Sequence, residues 1–378
     1  MNTLSSKERL LAALSLEEPD VVPVSPFIWA EFTSGYANIP FWKAEDLPNC
    51  WKLQIEVFKK FKIDGKCIID MPSIMLDGQR VVERSDNYFI VQSVAKTPTG
   101  DFFVRWRRSR NAATWMLNPL IKDESQLDNL EYVLSENYEK YATYVKTFED
   151  AKRYLGNTGI LGPIYLSPLA WAGYIAWGMT NTLKDIYIKP AFIEKLTKLG
   201  YEYHTRVCTD IAIKSGVDFI NPAWLAGIGP KHFKMYEMPY LKKEVERAHS
   251  AGLKVILHID GACNHVLELA ADTGADGIET LEPPTLPNGN VNIDDAKRRI
   301  GDQICLMGNV DAINTLLRGT VTEVKRAVID CIRKAAHGGG YILESSENLC
   351  TNTPIKNLLS FIRTGRKYGK YPQRNPSE

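Results

Sequence analysis

The sequence predicts an α/β protein whose main element is a (β/α)8 barrel, the TIM barrel. Eight short apolar runs alternate along the chain with segments of helical periodicity, which is typical of a parallel sheet covered by helices. The last five runs follow one another at close spacing, and this favours a barrel. A doubly wound open sheet is the alternative, but no glycine-rich phosphate-binding pattern follows the first strand.

The elements can be placed in order along the chain. Ser5 and Glu8 form a capping box ahead of apolar residues at helical spacing, and Pro19 ends this first helix. The eight predicted strands are 21–27, 66–70, 159–166, 217–223, 254–260, 276–283, 304–311 and 340–346. Helices are predicted at about 189–215, 230–252, 262–274 and 320–337. We interpret residues 1–378 as a single barrel domain, because no repeat or linker composition interrupts it.

Residues 80–118 break this alternation. Extended segments on both sides of a turn at 97–101 predict β-hairpins, inserted between strands two and three and standing over one mouth of the barrel. The insertion carries a basic run, formed by Arg105, Arg107, Arg108 and Arg110. Such a run is typical of a solvated hairpin face, and a contact with a partner or a substrate is the alternative.

Composition excludes several classes of function. Among 378 residues, 46 Lys and Arg balance 45 Asp and Glu, so no net field would attract nucleic acid. Seven scattered cysteines without a CxxC pair indicate a reducing, cytoplasmic location. Residues 154–183 carry no charge, but repeated Gly and Pro favour a buried strand and pocket over a membrane span.

Polar residues end four consecutive predicted strands. His258 and Asp260 end strand five and are two residues apart, so they point to the same side of an extended chain. The later strands add Glu279 and Glu282, then Asn309, then Glu344 and Glu347. Because a barrel's active site lies where its strands end, His258, Asp260 and Asn309 are candidate catalytic residues.

The residue types of this set are compatible with two kinds of site, a metal site and a metal-free acid–base site. His258 with carboxylates from among Asp260, Glu279, Glu282 and Glu347 suits a divalent metal, most plausibly Zn2+. The same groups without metal would serve as acid and base. Taken singly, His258 is also typical of a core histidine, and Asp260 before a glycine is typical of a helix cap.

Aromatic residues follow the earlier strands and predict a flat apolar pocket above the polar floor. Such a pocket would accept an aromatic or otherwise planar substrate, although ordinary loop packing is the alternative. The candidate substrate-binding residues are Phe27, Trp29, Trp171, Tyr174, Trp177, Asn221 and Trp224.

Several segments of the sequence resemble those of a known family. Residues 8–24, Gly162 with Pro163, residues 306–311 and residues 340–354 together resemble the uroporphyrinogen decarboxylase superfamily, and the resemblance extends from Lys7 to about Tyr371. It implies a (β/α)8 barrel. The superfamily's decarboxylases carry an arginine-bearing segment after strand one, whereas residues 25–32 here contain no arginine and one glutamate. A substrate with many carboxylates needs cationic donors, so porphyrinogen decarboxylation is disfavoured.

The other branch of the superfamily, the cobalamin-dependent methyltransferases, is similar in its hairpin insertion with Thr97, Pro98 and Gly100. That branch holds zinc with a histidine and two cysteines. Here His258 matches the histidine, Asp260 stands in place of the first cysteine and Glu347 lies near the position of the second. The resemblance implies an oxygen-rich, more Lewis-acidic metal site, suited to polarising an ether oxygen.

This similarity suggests methyl transfer from a methoxylated aromatic small molecule to Co(I) of a corrinoid (cobalamin) held by a separate corrinoid protein. The chain shows no cobalt-ligand histidine pattern of its own, so the corrinoid is expected on that partner. A decarboxylase acting on another acid and a non-catalytic binder of corrinoid or tetrapyrrole are the alternatives. We expect no nucleic-acid or membrane partner, and a homodimer is compatible with the sequence.

Overall fold

The computed structural model describes residues 3–76 and 78–372, apart from the side chains of Asn137 and Tyr138. Its main sheet is parallel and curled, with seven strands that neighbour one another in chain order. The strands are β1 (Gly65–Asp70), β6 (Gly159–Leu166), β7 (Phe219–Ala223), β8 (Lys254–His258), β9 (Gly277–Leu281), β10 (Cys305–Val310) and β11 (Tyr341–Ser345). With helices packed around it, this sheet gives a TIM-barrel-like α/β fold.

The first predicted strand, 21–27, forms isolated bridges instead of a strand. Val24 bridges Leu343 of β11 in parallel, and Val21 bridges Lys370 in antiparallel. The backbone of this segment also bonds to the chain just before β1, because Asp64 donates its amide to the Val24 carbonyl at 3.0 Å. Prolines at 19, 23 and 26 leave too few amide donors for a regular ladder. The segment therefore joins both edges of the sheet without being a full strand.

The predicted hairpin region holds a four-stranded antiparallel sheet. Its strands, in spatial order, are β2 (Arg80–Arg84), β3 (Tyr88–Ala95), β4 (Phe102–Ser109) and β5 (Trp115–Met116). Beyond it, Leu120 and Ile121 donate amide hydrogen bonds to the carbonyls of Ile175 and Ala176, which follow β6. The small sheet is thus attached to a loop at the carboxyl end of the main strands.

Helices cover the outside of the main sheet. They are α1 (Ser6–Leu14), α2 (Ala30–Ala37), α3 (Phe41–Glu45), α4 (Asn49–Phe61), α5 (Leu127–Asn137), α6 (Tyr144–Leu155), α7 (Pro168–Trp171), α8 (Met179–Ile188), α9 (Pro190–Gly200), α10 (Arg206–Ser215), α11 (Pro230–His232), α12 (Met238–Ser250), α13 (Leu267–Ala271), α14 (Ile293–Ile300), α15 (Val321–Ala335) and α16 (Ile355–Tyr368). Ser5 caps α1 through the predicted capping box with Glu8. Within the described ranges, no helix combines the length and apolar character needed to cross a membrane.

The interior of the curled sheet is apolar at one end and polar at the other. Its apolar layer joins side chains from successive strands with two leucines of α1, which close the amino-terminal end: Leu10, Leu14, Ile68, Ile160, Phe219, Ile256, Cys305, Met307 and Ile342. Because strand residues alternate sides, the next inward positions are Asp70, Asn221, His258, Asn309 and Glu344. A filled apolar layer therefore supports a polar layer facing the mouth.

Candidate active site

His258, the last residue of β8, lies between two carboxylates. Its Nδ1 is 2.8 Å from Oε1 of Glu279 on the neighbouring strand β9. Its Nε2 is 3.2 Å from Oδ1 of Asp260, toward the mouth. A neutral imidazole has one N–H and can donate to only one of these carboxylates. A neutral ring that donates from Nδ1 to Glu279 therefore presents the lone pair of Nε2 to Asp260 and the mouth.

Glu279 is held from behind by a lysine that the sequence analysis did not single out. Lys66 of β1 forms ion pairs with Glu279 Oε2 and, at 2.6 Å, with Glu344 Oε1 of β11. All three side chains are buried. Glu279 therefore lies behind the imidazole with both oxygens engaged, which differs from the metal-ligand role predicted for it.

Asp260 and Glu347 meet in front of His258, in the open mouth. Burial works against ionisation of Asp260, but the adjacent His258 and a hydrogen bond with Glu347 together lower its pKa. Burial and the charge of Asp260 raise the pKa of Glu347 well above its ordinary value. The shared proton therefore belongs to Glu347. Water still reaches Asp260, whose side chain is 56% exposed although protein atoms surround it.

The other predicted polar residues hold the loops of the mouth. Glu282 accepts a hydrogen bond from the Gly261 amide at 2.7 Å, and burial raises its pKa. The amide nitrogen of Asn309 donates to the carbonyls of Leu281 and Val291. Asn221 donates to the Ile256 carbonyl at 2.7 Å. Both asparagines donate their side-chain hydrogen bonds to backbone carbonyls of the barrel, so these contacts stabilise the fold.

The predicted aromatic residues divide into two groups. Trp171 is fully buried, and its indole nitrogen donates to the Ser73 carbonyl at 2.7 Å. Trp177 is buried and donates to Asp185, and Trp224 packs edge-on against Phe233. In this structure these three contact the core, because a tryptophan just after a strand can turn inward as readily as toward the mouth.

The remaining aromatic side chains lie nearer the polar layer. Phe27 packs edge-on against the His258 ring at 5.9 Å between centroids. Tyr174 and Trp29 are partly exposed. Burial and the nearby charge of Asp260 raise the pKa of Tyr174 to about 12, so this hydroxyl keeps its proton beside the mouth.

A second acidic group on the β1 side of the mouth was also missed from the sequence. Asp70 ends β1, where burial, then repulsion from Glu45 and Glu31, raises its pKa to about 8. Burial likewise raises the pKa of Glu31 to about 7. The only sequence signal was an aspartate at the end of an apolar strand. The mouth is consequently rich in carboxyl groups.

The residues in front of His258 fit a metal in part. Ligand atoms on a tetrahedral zinc, each about 2.0–2.1 Å from it, lie roughly 3.3 Å apart. The 3.2 Å between His258 Nε2 and Asp260 Oδ1 matches that spacing. Within residues 3–76 and 78–372, no three His, Cys, Asp or Glu side chains already form a metal-binding group. Glu347 is the third candidate ligand, but it would bind a cation only by giving up the proton that it shares with Asp260.

Comparison with known proteins places the chain in a family. The family model described as "Uroporphyrinogen decarboxylase (URO-D)" matches residues 108–368, well over half of the chain.

The chain belongs to the URO-D family.

Curated relatives in this family are distant. A uroporphyrinogen decarboxylase of Trichodesmium erythraeum is 27% identical over 263 residues, which cover 67% of this chain and 70% of the relative. A uroporphyrinogen decarboxylase of Prochlorococcus marinus (strain MIT 9515) is 25% identical over 333 residues, covering 86% of each. Among solved structures, a methyltransferase from Methanosarcina mazei matches with a TM-score of 0.68 at 17% identity, covering 97% of this chain and 99% of that one. This last likeness shows the fold of this URO-D family member.

Proposed function

We propose that this protein is a methyltransferase that moves a methyl group from an O-methyl donor, most plausibly a methoxylated aromatic, to Co(I) of a corrinoid carried by a partner protein. The observation that carries the proposal is the cluster of His258, Asp260 and Glu347 at the open mouth, where Nε2 of His258 lies 3.2 Å from Asp260 Oδ1 and the charge of Asp260 raises the pKa of the adjacent Glu347. Demethylation of an ether requires a proton for the leaving oxygen, and this cluster can supply it.

The described residues account for the proton and the orientation of the donor. As the methyl group passes to the acceptor, the C–O bond breaks and its electron pair stays on oxygen. The carboxyl of Glu347 then protonates that oxygen, and the resulting carboxylate is reprotonated from solvent at the mouth. Phe27 and Tyr174 border the same space and would hold a planar donor.

A divalent metal, most plausibly zinc, belongs to the proposal as a bound cofactor. His258 Nε2 and Asp260 would hold it, while Glu347 would keep its proton beside them as the acid. Glu279 would fix the ring from behind, as carboxylates commonly do behind metal-bound histidines. Such a metal would polarise the donor oxygen as a Lewis acid.

We expect about one equivalent of divalent metal in the purified protein, measured by elemental analysis without added metal. His258→Ala and Asp260→Asn should lose most of it, because each removes a ligand. His249→Ala is the matched control, since His249 pairs with Asp276 on the surface. Metal-free wild-type protein, or full metal content in His258→Ala, would contradict the metal site and leave acid–base chemistry alone.

Decarboxylation is the second candidate, because the curated relatives carry that name. The residues of the mouth speak against a polycarboxylate substrate, which would need cationic donors. Lys66 is engaged by two buried carboxylates, and the groups nearer the opening are Asp70, Asp260 and Glu347. The deciding experiment mixes the protein with methoxylated aromatic donors and reduced cobalamin. A change in cobalamin absorbance supports methyl transfer, release of CO2 supports decarboxylation, and tight binding without turnover indicates a binding protein.

Glu347→Gln should lower the turnover number about 10²–10⁴-fold, the usual contribution of a general acid. The loss should depend on the leaving group. With 4-nitroanisole, whose nitrophenolate leaves without a proton, the variant should retain more of its activity than with anisole. Equal losses on the two donors, in steady-state assays with reduced cobalamin, would remove Glu347 from proton transfer.

The corrinoid partner would dock on the four-stranded antiparallel sheet. Between residues 80 and 117 the chain has seven basic and three acidic residues, although the whole chain is almost neutral. Arg105, Arg107, Phe103 and Trp115 are exposed. Their register places them on one face, since Arg107 lies opposite Trp115 and side chains alternate along β4. Arginine and aromatic residues dominate the energetics of many protein interfaces.

The structure changes the choice of residues for testing this docking. Arg108 bonds to the Trp42 carbonyl and to Asp46, so its substitution would disturb the fold. We expect Arg105→Glu/Arg107→Glu to lower turnover with a corrinoid protein about tenfold or more at low salt, while sparing turnover with free cobalamin. The matched control is Arg326→Glu/Arg333→Glu on α15. Equal loss with both acceptors would exclude the docking role.

A further inference from the structure

Lys66 is a buried cation placed between carboxylates from two other strands. Its side chain is 2% exposed, its Nζ contacts Glu279 Oε2 and lies 2.6 Å from Glu344 Oε1, and it lies 4.5 Å above the Phe27 ring. Burying such charges is costly, and apolar residues of similar volume are often as stable or more so. On the side of the amino-terminal end, the interior is filled by an apolar layer. Packing alone therefore does not explain why charged residues occupy this position.

The contacts lead from Lys66 to the reacting end of His258. Glu279 uses one oxygen for Lys66 and the other for His258 Nδ1, at 2.8 Å. A carboxylate held in this way accepts the Nδ1 proton and fixes the plane of the ring. The other nitrogen, Nε2, then faces Asp260 and the mouth. One carboxylate thus connects the buried lysine to the ring.

We propose that Lys66 is a positioning residue for His258: it anchors Glu279, which holds the Nδ1–H tautomer of the ring and leaves Nε2 free to face the mouth. Lys66 does not touch the substrate space. The consequence for turnover rests on the proposed function, but the orientation of the ring holds for any reaction at this site.

A purely structural role makes a different prediction. If the lysine only completes the packing, then Lys66→Met together with Glu344→Leu should leave His258 unchanged, because both charges are replaced by apolar groups. If Lys66 positions the ring, the double variant should fold and still lose the Nδ1–H preference. Glu279 would then keep only one of its two partners.

The test is 15N NMR of the imidazole nitrogens in protein labelled with 15N-histidine, at a pH where the ring is neutral. In the wild type His258 should be in the Nδ1–H form, both with Nε2 free and with Nε2 bound to a metal. In Lys66→Met/Glu344→Leu the ratio of Nδ1–H to Nε2–H should fall about tenfold or more, because a buried Glu279 that has lost its counter-ion takes up a proton and then donates to Nδ1. Lys297→Met is the matched control, because Lys297 is a buried lysine whose hydrogen bonds within the described residues go to the carbonyls of Gly301 and Gly339.

Glu279→Gln keeps the volume of the side chain and tests the same link should the double variant not fold. It too should lower the Nδ1–H population, because an amide oxygen is a weaker acceptor than a carboxylate. An Nε2–H wild type, or an unchanged tautomer ratio in whichever variant folds, would overturn the proposal. Failure of methyl transfer in the wild type would refute the proposed function. The tautomer ratio would still test the role of Lys66, because it is measured without turnover.

Discussion

His258→Ala should abolish methyl transfer, with a fall in the single-turnover rate constant of about 10³-fold or more. The ring is the only group that contacts both the buried Glu279 and the mouth-facing Asp260 in the described contacts. Its removal would take away the main neighbour that lowers the pKa of Asp260. Asp260 would then hold the proton that it shares with Glu347 for a larger fraction of the time. General acid–base groups commonly contribute 10²–10⁴-fold, and loss of a metal ligand would add to this.

The measurement is single-turnover methylation of reduced cobalamin by a saturating methoxylated donor. His265→Ala provides the control, because His265 lies in hydrogen-bond contact with the Ile228 carbonyl in the loop between β7 and α11. Thermal melting of both variants separates loss of chemistry from loss of fold. A folded His258→Ala protein that keeps a tenth of the wild-type rate would show that the reaction takes place elsewhere.

Asp64→Ala should lower the free energy of unfolding by about 3–5 kcal/mol, the cost typical of breaking a buried ion pair on one side. Asp64 is fully buried just before β1 and accepts from Arg9, Arg366 and the Val24 amide at 2.7–2.8 Å. Its loss would leave the Arg9 guanidinium buried with an incomplete set of acceptors and would free the segment at Val24.

Urea unfolding followed by circular dichroism measures this effect. Asp150→Ala, which removes an exposed pair with Lys146, is the control and should change the free energy of unfolding by less than about 1 kcal/mol. A similar small change for Asp64→Ala would mean that the segment is held mainly by its backbone bonds to β11.

The main sheet could be predicted from the sequence because its strands are short apolar runs of regular spacing. Seven of the predicted runs overlap strands of the curled sheet. The segment 21–27 was predicted as a full strand, but its prolines remove amide donors that a regular ladder needs. It still lies beside β11, where a single bridge joins Val24 to Leu343. The extent of the antiparallel sheet also depended on pairing between β2 and β3, which a turn pattern alone does not determine.

The site was predictable where the pattern was local and not where it was distant. His258 and Asp260 are two residues apart, and the structure brings them within 3.2 Å. Lys66 was missed because a lysine at the start of a strand ordinarily reaches solvent, and its partners Glu279 and Glu344 come from distant parts of the chain. The inward turn of Trp171 likewise depends on the Ser73 carbonyl, which no spacing reveals.

The bridge between Val24 and Leu343 has a consequence for synthesis of the chain on the ribosome. The seven strands of the main sheet lie side by side in the order in which the chain is made. Each strand can therefore pair with the preceding one as soon as it emerges from the ribosome. The Val24 segment must wait for β11, the last of the described strands to be translated. During that interval the Asp64 backbone and side chain, which emerge early, can hold it against β1. A nascent chain would thus carry one edge of its sheet already covered before the last strand arrives to complete it.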